Sequence, residues 1–339
     1  EKISPGTPSC GGIKYYQNMS LHFEKVFIKQ VKKETADCVS IVFDIPESLQ
    51  DKFKYKQGQH LTMRAFINGE EVRRSYSLCS SPLNNEWRVA VKKVDGGLFS
   101  TFANDTLKTG DTLELMEPMG HFFSELDPAN KKSYTAIASG SGITPILSII
   151  KTVLATEPNS EFTLVYGNRN RSSVIFKEEL EALKNKYINR FRIVYILSRE
   201  RTDAEINHGR IDANKCAALF GKVVGLDTDE FFICGPEEMI FTVKDFLEEK
   251  GVDKKKIHFE LFTTGGTVQQ KAKREKQHES TERKSNITVK LDGITFDFQV
   301  PFNGNAILDE ALKNGADLPY SCKGGVCCTC KARLIEGEV

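Results

Sequence analysis

Cysteines near the end of the sequence have the spacing that most clearly suggests chemistry. Cys322, Cys327 and Cys330 form a C-x4-C-x2-C pattern within the stretch SCKGGVCCTC. Thiolates at this spacing are typical ligands of a plant-type 2Fe–2S centre. Gly324 and Gly325 give the backbone the freedom that a tight ligand loop requires. We therefore predict that the three cysteines are metal ligands of a 2Fe–2S cluster.

Two alternatives to the cluster stay open from the spacing alone. Zinc sites also use C-x2-C pairs, and the thiols could simply be free. Cys328 interrupts the pattern and is expected to pack beside the loop without binding iron. A 2Fe–2S centre needs a fourth thiolate, and no cysteine follows Cys330. We expect the domain to be incomplete at its C-terminus, which leaves the presence of a cluster in this chain open.

The segment RRSYSLCSSP at 73–82 has residue types that suit a flavin nucleotide. On an extended chain Arg74 and Tyr76 point to the same side. An arginine can pair with a pyrophosphate, a tyrosine can lie against a flavin ring, and the Ser77 hydroxyl can bond a ring nitrogen. The alternative is an ordinary exposed strand. DGGLFSTF at 95–102 favours the flavin interpretation, because two glycines before a helix-like start offer backbone amides to phosphate; a hairpin turn is the other possibility there.

A glycine-rich turn at GSGITPIL, residues 140–147, suggests a second nucleotide site. Gly140 and Gly142 permit close backbone approach, and Pro145 suits the first turn of a helix. The amides of such a helix start can face a dinucleotide pyrophosphate. A tight turn between strand and helix without a ligand is the alternative.

The stretch LSRE at 197–200 bears on which dinucleotide is bound. Ser198 and Arg199 could hold a 2′-phosphate, whereas an acidic residue in that place would favour an unphosphorylated ribose. The sequence therefore favours NADPH over NADH, with simple surface charge as the alternative.

Two later motifs could reach the flavin. Cys234, in FICGPEEM, lies at the carboxyl end of a predicted strand, where α/β sheets bind ligands; a lone buried cysteine is more often a packing residue. Glu260 and Phe262, in HFELF, could reach the flavin from the end of the sheet, or could belong to an ordinary edge strand.

The elements that carry these motifs change character along the chain. Residues 1–18 are polar and rich in Gly, Pro and Ser, and we set them aside as a leader. Residues 19–126 contain short β-branched and aromatic runs separated by turn residues, without a useful amphipathic helix, which predicts an antiparallel β-barrel or sandwich. Residues 127–262 alternate compact apolar runs with helical stretches, which predicts a doubly wound, Rossmann-like α/β domain with a parallel sheet.

A third unit is predicted after a polar, charged stretch. Residues 263–284 are expected to be a flexible linker. Residues 285–339 begin with a hairpin, ITVKLDGITFDFQV, followed by a helix, NAILDEALKNGA, and the cysteine loop. This order predicts a small α+β domain of the ferredoxin type.

The composition bears on whether the protein binds nucleic acid, inserts into a membrane or works in a reducing compartment. The 339 residues include 47 Lys and Arg and 46 Asp and Glu, so the net charge of +1 gives no reason to expect nucleic acid as a partner. The longest apolar runs are too short to span a bilayer, so no membrane insertion is expected. Four of the nine cysteines crowd into the C-terminal loop. This clustering is typical of a metal site in a reducing compartment, so we expect a cytoplasmic protein.

Taken in order, RSYS, GGLFS, GSGITP, LSRE, CGPEEM and FELF make residues 20–339 resemble the ferredoxin–NADP reductase superfamily, with a plant-type ferredoxin domain at the C-terminus. The resemblance implies an FAD barrel, an NADP domain and a β-grasp 2Fe–2S domain. It implies a catalytic set of Ser77, Cys234 and Glu260. It implies a cofactor-binding set of Arg74, Tyr76, Ser77, Gly97, Leu98, Phe99, Ser100, Gly140, Gly142, Thr144, Pro145, Ser198, Arg199, Cys234, Gly235, Pro236 and Phe262.

The activity implied by the resemblance is electron transfer from NADPH to FAD, then to the cluster, then to a transiently docking di-iron oxygenase component. The linker would let the small domain move between flavin and acceptor. Other interpretations remain: the reductase of a different oxygenase, hydroxylase or desaturase, a stand-alone diaphorase, or a redox-sensing module.

Overall fold

The computed structural model describes residues 23–262, 284–291, 294–302, 304–316, 318–323, 325 and 329–337. In this part of the chain, residues 23–262 and 319–337 form one compact unit and residues 284–318 form another. The predicted leader, the predicted linker except Lys284, and Gly324, Cys327 and Cys328 lie outside the described residues.

The first half of the large unit is an antiparallel six-stranded sheet. Its strands are β1 (Glu24–Thr35), β2 (Cys38–Asp44), β3 (His60–Ile67), β4 (Glu70–Ser77), β5 (Trp87–Lys92) and β6 (Thr112–Leu115). The order is β4-β3-β6-β1-β2-β5. A bridge between Leu78 and Val89 brings the two outer strands together, so the sheet closes into the predicted barrel.

One helix interrupts these strands, contrary to the expectation that none of useful length would. It is α1 (Leu98–Asp105), and it starts where the sequence showed a helix-like beginning. Phe99 and Ala103 pack against the interior of the barrel, where Leu61 and Met63 of β3 are fully buried. Burial of this one face explains why so short a helix is stable.

The second half of the large unit is a parallel five-stranded sheet, as predicted. Its strands are β7 (Ser133–Ser139), β8 (Glu161–Asn168), β9 (Phe191–Leu197), β10 (Glu230–Gly235) and β11 (Ile257–Leu261), in the order β11-β10-β7-β8-β9. Its helices are α2 (Ile143–Thr156), α3 (Lys177–Lys186), α4 (Ala213–Leu219) and α5 (Glu237–Glu249).

Alternate residues of the central strand explain why this sheet is covered on both faces. Ala136 and Ala138 of β7 belong to the core that includes residues of α2 and α3, whereas Ile137 belongs to the core formed with α4 and α5. Side chains on successive positions of a strand point to opposite faces, so an apolar run such as YTAIAS needs helices on both sides. The fold is therefore doubly wound.

The small unit contains the predicted hairpin and helix. Strands β12 (Lys284–Leu291) and β13 (Ile294–Pro301) pair antiparallel, and α6 (Ile307–Lys313) follows. Ala311 of the helix packs with Phe298 and Val300 of the hairpin. Within the residues that the structure describes, no helix is both long and apolar enough to cross a membrane.

Candidate active site

Ser77 and Glu260, predicted from motifs that are far apart in sequence, are in contact. Ser77 is the last residue of β4, and Glu260 lies in β11. The Ser77 hydroxyl donates a hydrogen bond of 3.2 Å to Oε2 of Glu260. Burial raises the pKa of the Glu260 carboxyl to about 8, although the hydrogen bond from Ser77 opposes this shift. The two predicted catalytic groups therefore form a hydroxyl–carboxyl pair that keeps a proton at neutral pH.

Cys234 lies beside the same carboxyl. Its backbone pairs in register with that of Glu260 across the parallel strands β10 and β11. The thiol is fully buried, and its pKa is raised, first by burial and then by the nearby Glu260. A thiol in this state is neutral and a poor nucleophile. Its contribution to the site is an uncharged, space-filling wall.

Gly142 is required where the second glycine-rich turn meets this wall. A Cβ atom on Gly142 would lie 2.1 Å from the carbonyl oxygen of Cys234, far inside van der Waals contact. The start of α2 can therefore pack directly onto the end of β10 only without a side chain. Gly235 and Pro236 follow Cys234, and Pro236 immediately precedes α5.

The glycine turn that is predicted to bind the dinucleotide pyrophosphate leads directly into helix α2. Gly140 has a positive φ of 55°, and residues Gly140–Gly142 form a helical turn that leads into α2. The carbonyl of Gly140 accepts a hydrogen bond of 3.0 Å from the Tyr166 hydroxyl. Thr144 and Pro145 lie in the first turn of α2, where the Thr144 hydroxyl donates to the carbonyl of Ser141 at 3.0 Å. The turn is held from both sides, and its helix amides are available to an anion.

The predicted flavin segments come together on the barrel. The ring of Tyr76 lies 5.5 Å from that of Phe99, centroid to centroid. Arg74, on the same face of β4 as Tyr76, is exposed and donates to the carbonyl of Arg73 at 2.7 Å. Strand β4, which is predicted to contact a flavin, therefore lies beside the start of helix α1.

The turn before α1 is fixed by Ser100 and Gly97. The Ser100 hydroxyl accepts from the Val94 amide at 3.1 Å and donates to the carbonyl of Gly97 at 3.2 Å. A Cβ atom on Gly97 would lie 2.5 Å from the Ser100 oxygen. Leu98 and Phe99 then start the helix, and the first amides of a helix have no partner within the helix itself.

Ser198 and Arg199 follow β9 at the edge of the parallel sheet. The amide of Ser198 donates to the carbonyl of Asn168, and the amide of Arg199 donates to that of Arg169. The Arg199 side chain is exposed. Glu200 binds the Arg171 amide at 2.8 Å and its guanidinium at 3.2 Å. The acidic residue of this segment is thus engaged by Arg171, which reduces its repulsion of an anion.

Sequence reasoning missed His60, which belongs to this site. His60 pairs with Ser77 across β3 and β4, and its Nδ1 lies 4.0 Å from Oε1 of Glu260. The imidazole is 5% exposed, and among the described residues its Nε2 has no hydrogen-bond partner. The residue was missed because it begins an apolar strand, in the stretch GQHL, and was interpreted as part of that strand only. The signal that could have found it is cross-strand pairing with the Ser of RSYS, because paired residues share one face of a sheet.

Two of the three predicted cluster ligands lie within the described residues. Cys322 and Cys330 are both half-buried. The pKa of Cys330 is raised, mainly by burial and then by Cys322, so the two thiols interact. Cys327 lies outside the described residues. Searched over those residues only, the chain shows no group of three or more metal-binding side chains.

The residues just before Cys322 contact strand β4 within the large unit. Ser75 donates to the hydroxyl of Ser321 at 2.9 Å. The guanidinium of Arg73 lies 4.2 Å from the ring centroid of Tyr320. Ser75 and Ser77 point to the same side of β4, since they are two positions apart. Tyr320 and Ser321, at the start of the segment that carries the cysteines (residues 320–330, the cysteine segment), therefore contact the same side of β4 as Glu260 does.

The site fits the cofactors that its motifs imply. The unpartnered Nε2 of His60 is a buried polar atom beside Ser77 and Glu260, and such atoms are rarely left without a partner. The helix starts after Gly97 and Gly142 offer amides suited to a nucleotide phosphate, and cysteine thiolates are the usual ligands of Fe–S clusters.

Comparison with known proteins agrees with this arrangement. Family profiles for an oxidoreductase FAD-binding domain, an oxidoreductase NAD-binding domain and a 2Fe-2S iron-sulfur cluster binding domain match residues 25–123, 136–245 and 289–339. The chain belongs to the ferredoxin–NADP reductase superfamily and is an oxidoreductase with a C-terminal 2Fe–2S domain.

Two relatives of the chain are components of multicomponent oxygenases. The chain is 44% identical over 318 residues to one of the subunits of 1,2-phenylacetyl-CoA epoxidase of Escherichia coli, covering 94% of this chain and 88% of that protein. It is 36% identical over 317 residues to the ferredoxin reductase component of 3-ketosteroid-9-alpha-monooxygenase of Rhodococcus rhodochrous, covering 92% and 86%.

Solved structures share the fold. An intact type IV self-sufficient cytochrome P450 monooxygenase aligns with a TM-score of 0.64 at 22% identity, covering 93% of this chain and 36% of that one. The FAD/NAD binding domain of nitric oxide dioxygenase from Vibrio cholerae aligns with a TM-score of 0.60 at 24% identity, covering 70% and 98%.

Proposed function

We propose that this protein is an NADPH-dependent reductase that passes electrons through FAD and a 2Fe–2S cluster to a di-iron oxygenase, and that the oxygenase is phenylacetyl-CoA epoxidase. The single observation that carries the reductase assignment is the contact of Ser77 with Glu260 beside Cys234, at the junction of the barrel and the parallel sheet. The 44% identity to a subunit of the epoxidase supports the choice of partner.

The flavin would be held by the barrel. Arg74 and the amides that follow Gly97 would bind its pyrophosphate, and Tyr76 would lie against its ring. When bound, a flavin takes two electrons as hydride from a nicotinamide and delivers them one at a time to a cluster. The chain supplies the geometry for this exchange, because rigid strands hold the polar groups on both sides of the bound cofactor.

The nicotinamide site would be lined by Ser77, Cys234 and Glu260. The oxygen of Ser77 would accept a hydrogen bond from a ring N–H group, because the hydroxyl proton is donated to Glu260, which fixes the orientation of the hydroxyl. Because Glu260 and Cys234 are both neutral, they place no negative charge beside a departing hydride. The close packing of Gly142 against the backbone of Cys234 would help to exclude water from that side.

The dinucleotide would extend from this place towards the edge of the sheet. The turn at Gly140 would bind its pyrophosphate, and Ser198 and Arg199 would bind a 2′-phosphate. Arg171 strengthens the preference for NADPH, because it pairs with the one carboxylate of this segment.

Cys322, Cys327 and Cys330 would be three of the cluster ligands. The contacts of Tyr320 and Ser321 with β4 support a short path from flavin to cluster, since both sites then use one strand. The segment at 263–284 would act as a linker that lets the small domain move between flavin and acceptor.

Electron delivery to purified oxygenases tests the proposal. The full-length protein, loaded with FAD and cluster, is mixed without oxygen with NADPH or NADH, and the flavin and cluster absorption bands are followed. It is then supplied to the oxygenase component of phenylacetyl-CoA epoxidase and to that of a 3-ketosteroid monooxygenase. We expect faster flavin reduction by NADPH and coupled turnover with the epoxidase. Coupled turnover only with the steroid enzyme would favour the second relative as the guide to function. A protein that binds no FAD would refute both.

A further inference from the structure

His60 occupies a fixed position beside Glu260. It is the first residue of β3, and its backbone exchanges two hydrogen bonds with Met119, of 2.8 and 2.9 Å. The backbone of Gly120, with a positive φ of 121°, packs against the imidazole: a Cβ atom there would lie 3.1 Å from Nδ1. The ring is therefore held between Gly120 and Glu260, with little room to turn away.

The imidazole and the carboxyl are both uncharged at neutral pH. Burial lowers the pKa of His60 to about 4, and His121 adds to this effect. Burial raises the pKa of Glu260 to about 8. The titratable or polar groups facing the pair are the Ser77 hydroxyl on β4, the Cys234 thiol on β10 and His121 after Met119. Between the pKa values of these two groups, one proton therefore resides on the carboxyl and none is added to the ring.

Hydrogen bonding decides where that proton points. Oε2 of Glu260 accepts from Ser77, so the other oxygen, Oε1, is the one that can carry the proton and face His60. A neutral imidazole has one donor nitrogen and one acceptor nitrogen. If Nδ1 is the acceptor, Nε2 carries the hydrogen, and a side-chain shift of about 1 Å closes the 4.0 Å gap to hydrogen-bond length.

We propose that His60 is a positioning residue of the hydride-transfer site: its Nδ1 accepts a hydrogen bond from the protonated carboxyl of Glu260, which keeps the proton on the carboxyl and the carboxyl turned towards Ser77. The inference rests on the proposed function for its role in catalysis, but the 4.0 Å approach of Nδ1 to Oε1 is made by the chain's own residues and can be tested without a bound cofactor. The buried Nε2–H then faces away from Glu260 and is free to donate to a ligand.

Two substitutions separate the ring nitrogens. The amide of His60→Asn places a polar group near the position of Nδ1, whereas that of His60→Gln places one near Nε2. The readout is the infrared carbonyl band of the protonated Glu260, identified by its loss in Glu260→Gln and titrated in FAD-free and FAD-loaded protein. We expect a midpoint about one pH unit lower in His60→Gln, the effect of one lost buried hydrogen bond, and little change in His60→Asn.

The rate of flavin reduction should also be affected more by His60→Gln than by His60→Asn. His60→Gln should lower kcat for flavin reduction by NADPH at pH 8 more than at pH 6, with KM changing less, whereas the ratio of the kcat values at pH 8 and pH 6 should be the same in His60→Asn as in the wild type. In the Glu260→Gln background the two His60 variants should behave alike. Equal infrared midpoints in the two single variants would overturn the proposal.

A measurement on the unaltered protein covers the case in which a variant fails to fold. The ¹⁵N NMR shifts of His60 report which ring nitrogen carries the hydrogen, and the proposal requires Nε2–H with an unprotonated Nδ1. An Nδ1–H tautomer would overturn it. If FAD binds but NADPH does not reduce it, the proposed function fails, whereas the NMR and infrared titrations still judge His60.

Discussion

At the scale of single residues, the site depends on a contact between Ser77 and Glu260 that cannot be predicted from either of their motifs, RSYS or FELF, alone. The hydroxyl of Ser77 and the carboxyl of Glu260 are 183 positions apart and lie at 3.2 Å. The residue types were predictable from RSYS and FELF. Their hydrogen bond was not, because it depends on how the barrel packs against the end of the parallel sheet. His60 escaped prediction for the same reason, since its partner is defined by strand register.

Ser77→Ala should slow hydride transfer while leaving FAD binding intact. Loss of a positioned hydroxyl of this kind typically costs about 10²-fold or more in rate. Stopped-flow bleaching of the flavin by NADPH measures the rate, and the FAD content of the purified variant measures binding. Ser48→Ala, exposed in the short helical turn Glu47–Leu49 between β2 and β3, is the matched control and should behave like the wild type. A Ser77→Ala variant reduced at the normal rate would remove Ser77 from the catalytic set.

Arg199→Ala should change the choice of dinucleotide. A charge-assisted hydrogen bond contributes about 1.5–3 kcal/mol, so kcat/KM for NADPH should fall by about 10- to 100-fold. The value for NADH should hardly change, since NADH has no 2′-phosphate. Steady-state assays with both dinucleotides measure the ratio, and Arg192→Ala, exposed at the other end of β9, is the control. Equal losses with both dinucleotides would show that Arg199 does not read the phosphate.

At the scale of elements, three polar side chains join the barrel to the nucleotide domain. Glu179 of α3 binds Arg88 of β5 at 2.8 and 3.0 Å and Lys151 of α2 at 2.5 Å. Burial alone would raise the pKa of Glu179, but Arg88 and Lys151 outweigh it and hold the pKa below its ordinary 4.5. The cluster ties the two sheets together without contacting a cofactor segment.

Glu179→Gln should therefore lower the free energy of unfolding, by about 2–3 kcal/mol, because two largely buried cations lose the carboxylate that they share. Since the folded pKa is depressed, the contribution is present above the ordinary carboxyl pKa and is lost as the pH falls through the lower folded value. Thermal unfolding of both proteins at pH 7 and pH 4 measures this. Glu248→Gln, in an ion pair at the surface of α5, should cost about 0.5 kcal/mol or less. A difference that persists unchanged at pH 4 would contradict the electrostatic explanation.

The elements themselves were mostly predictable, for identifiable reasons. β3 and β10 have the predicted limits, because HLTMRAFI and EFFICG are short, apolar and bounded by turn residues. α4 was missed: it has only seven residues, and its start is fixed by Asp212, whose carboxylate accepts from the Lys215 amide at 2.8 Å. Such a short helix is stable only through its packing on the sheet, which composition does not reveal.

At the scale of the whole molecule, the proposed electron path is continuous only if the cysteine segment and the flavin segment share strand β4. In the full-length protein, Cys322→Ser should abolish the cluster absorption and electron delivery to the oxygenase, whereas NADPH oxidation with ferricyanide, which can take electrons from the flavin, should continue. Cys328→Ser is the matched control and should keep its iron. Iron analysis and both assays give the result. A Cys328→Ser protein without iron would assign the neighbouring thiol to the cluster instead.

The position of Glu260 also affects how the enzyme matures. β11 is the last strand of the parallel sheet to leave the ribosome, whereas the barrel and its flavin segments emerge far earlier. A nascent or clipped chain ending before β11 could thus fold a barrel and take up flavin without the carboxyl opposite Ser77. Such a chain would lack the carboxyl that the proposed hydride-transfer site uses, so we expect flavin uptake and reduction by NADPH to be separable by truncation before β11.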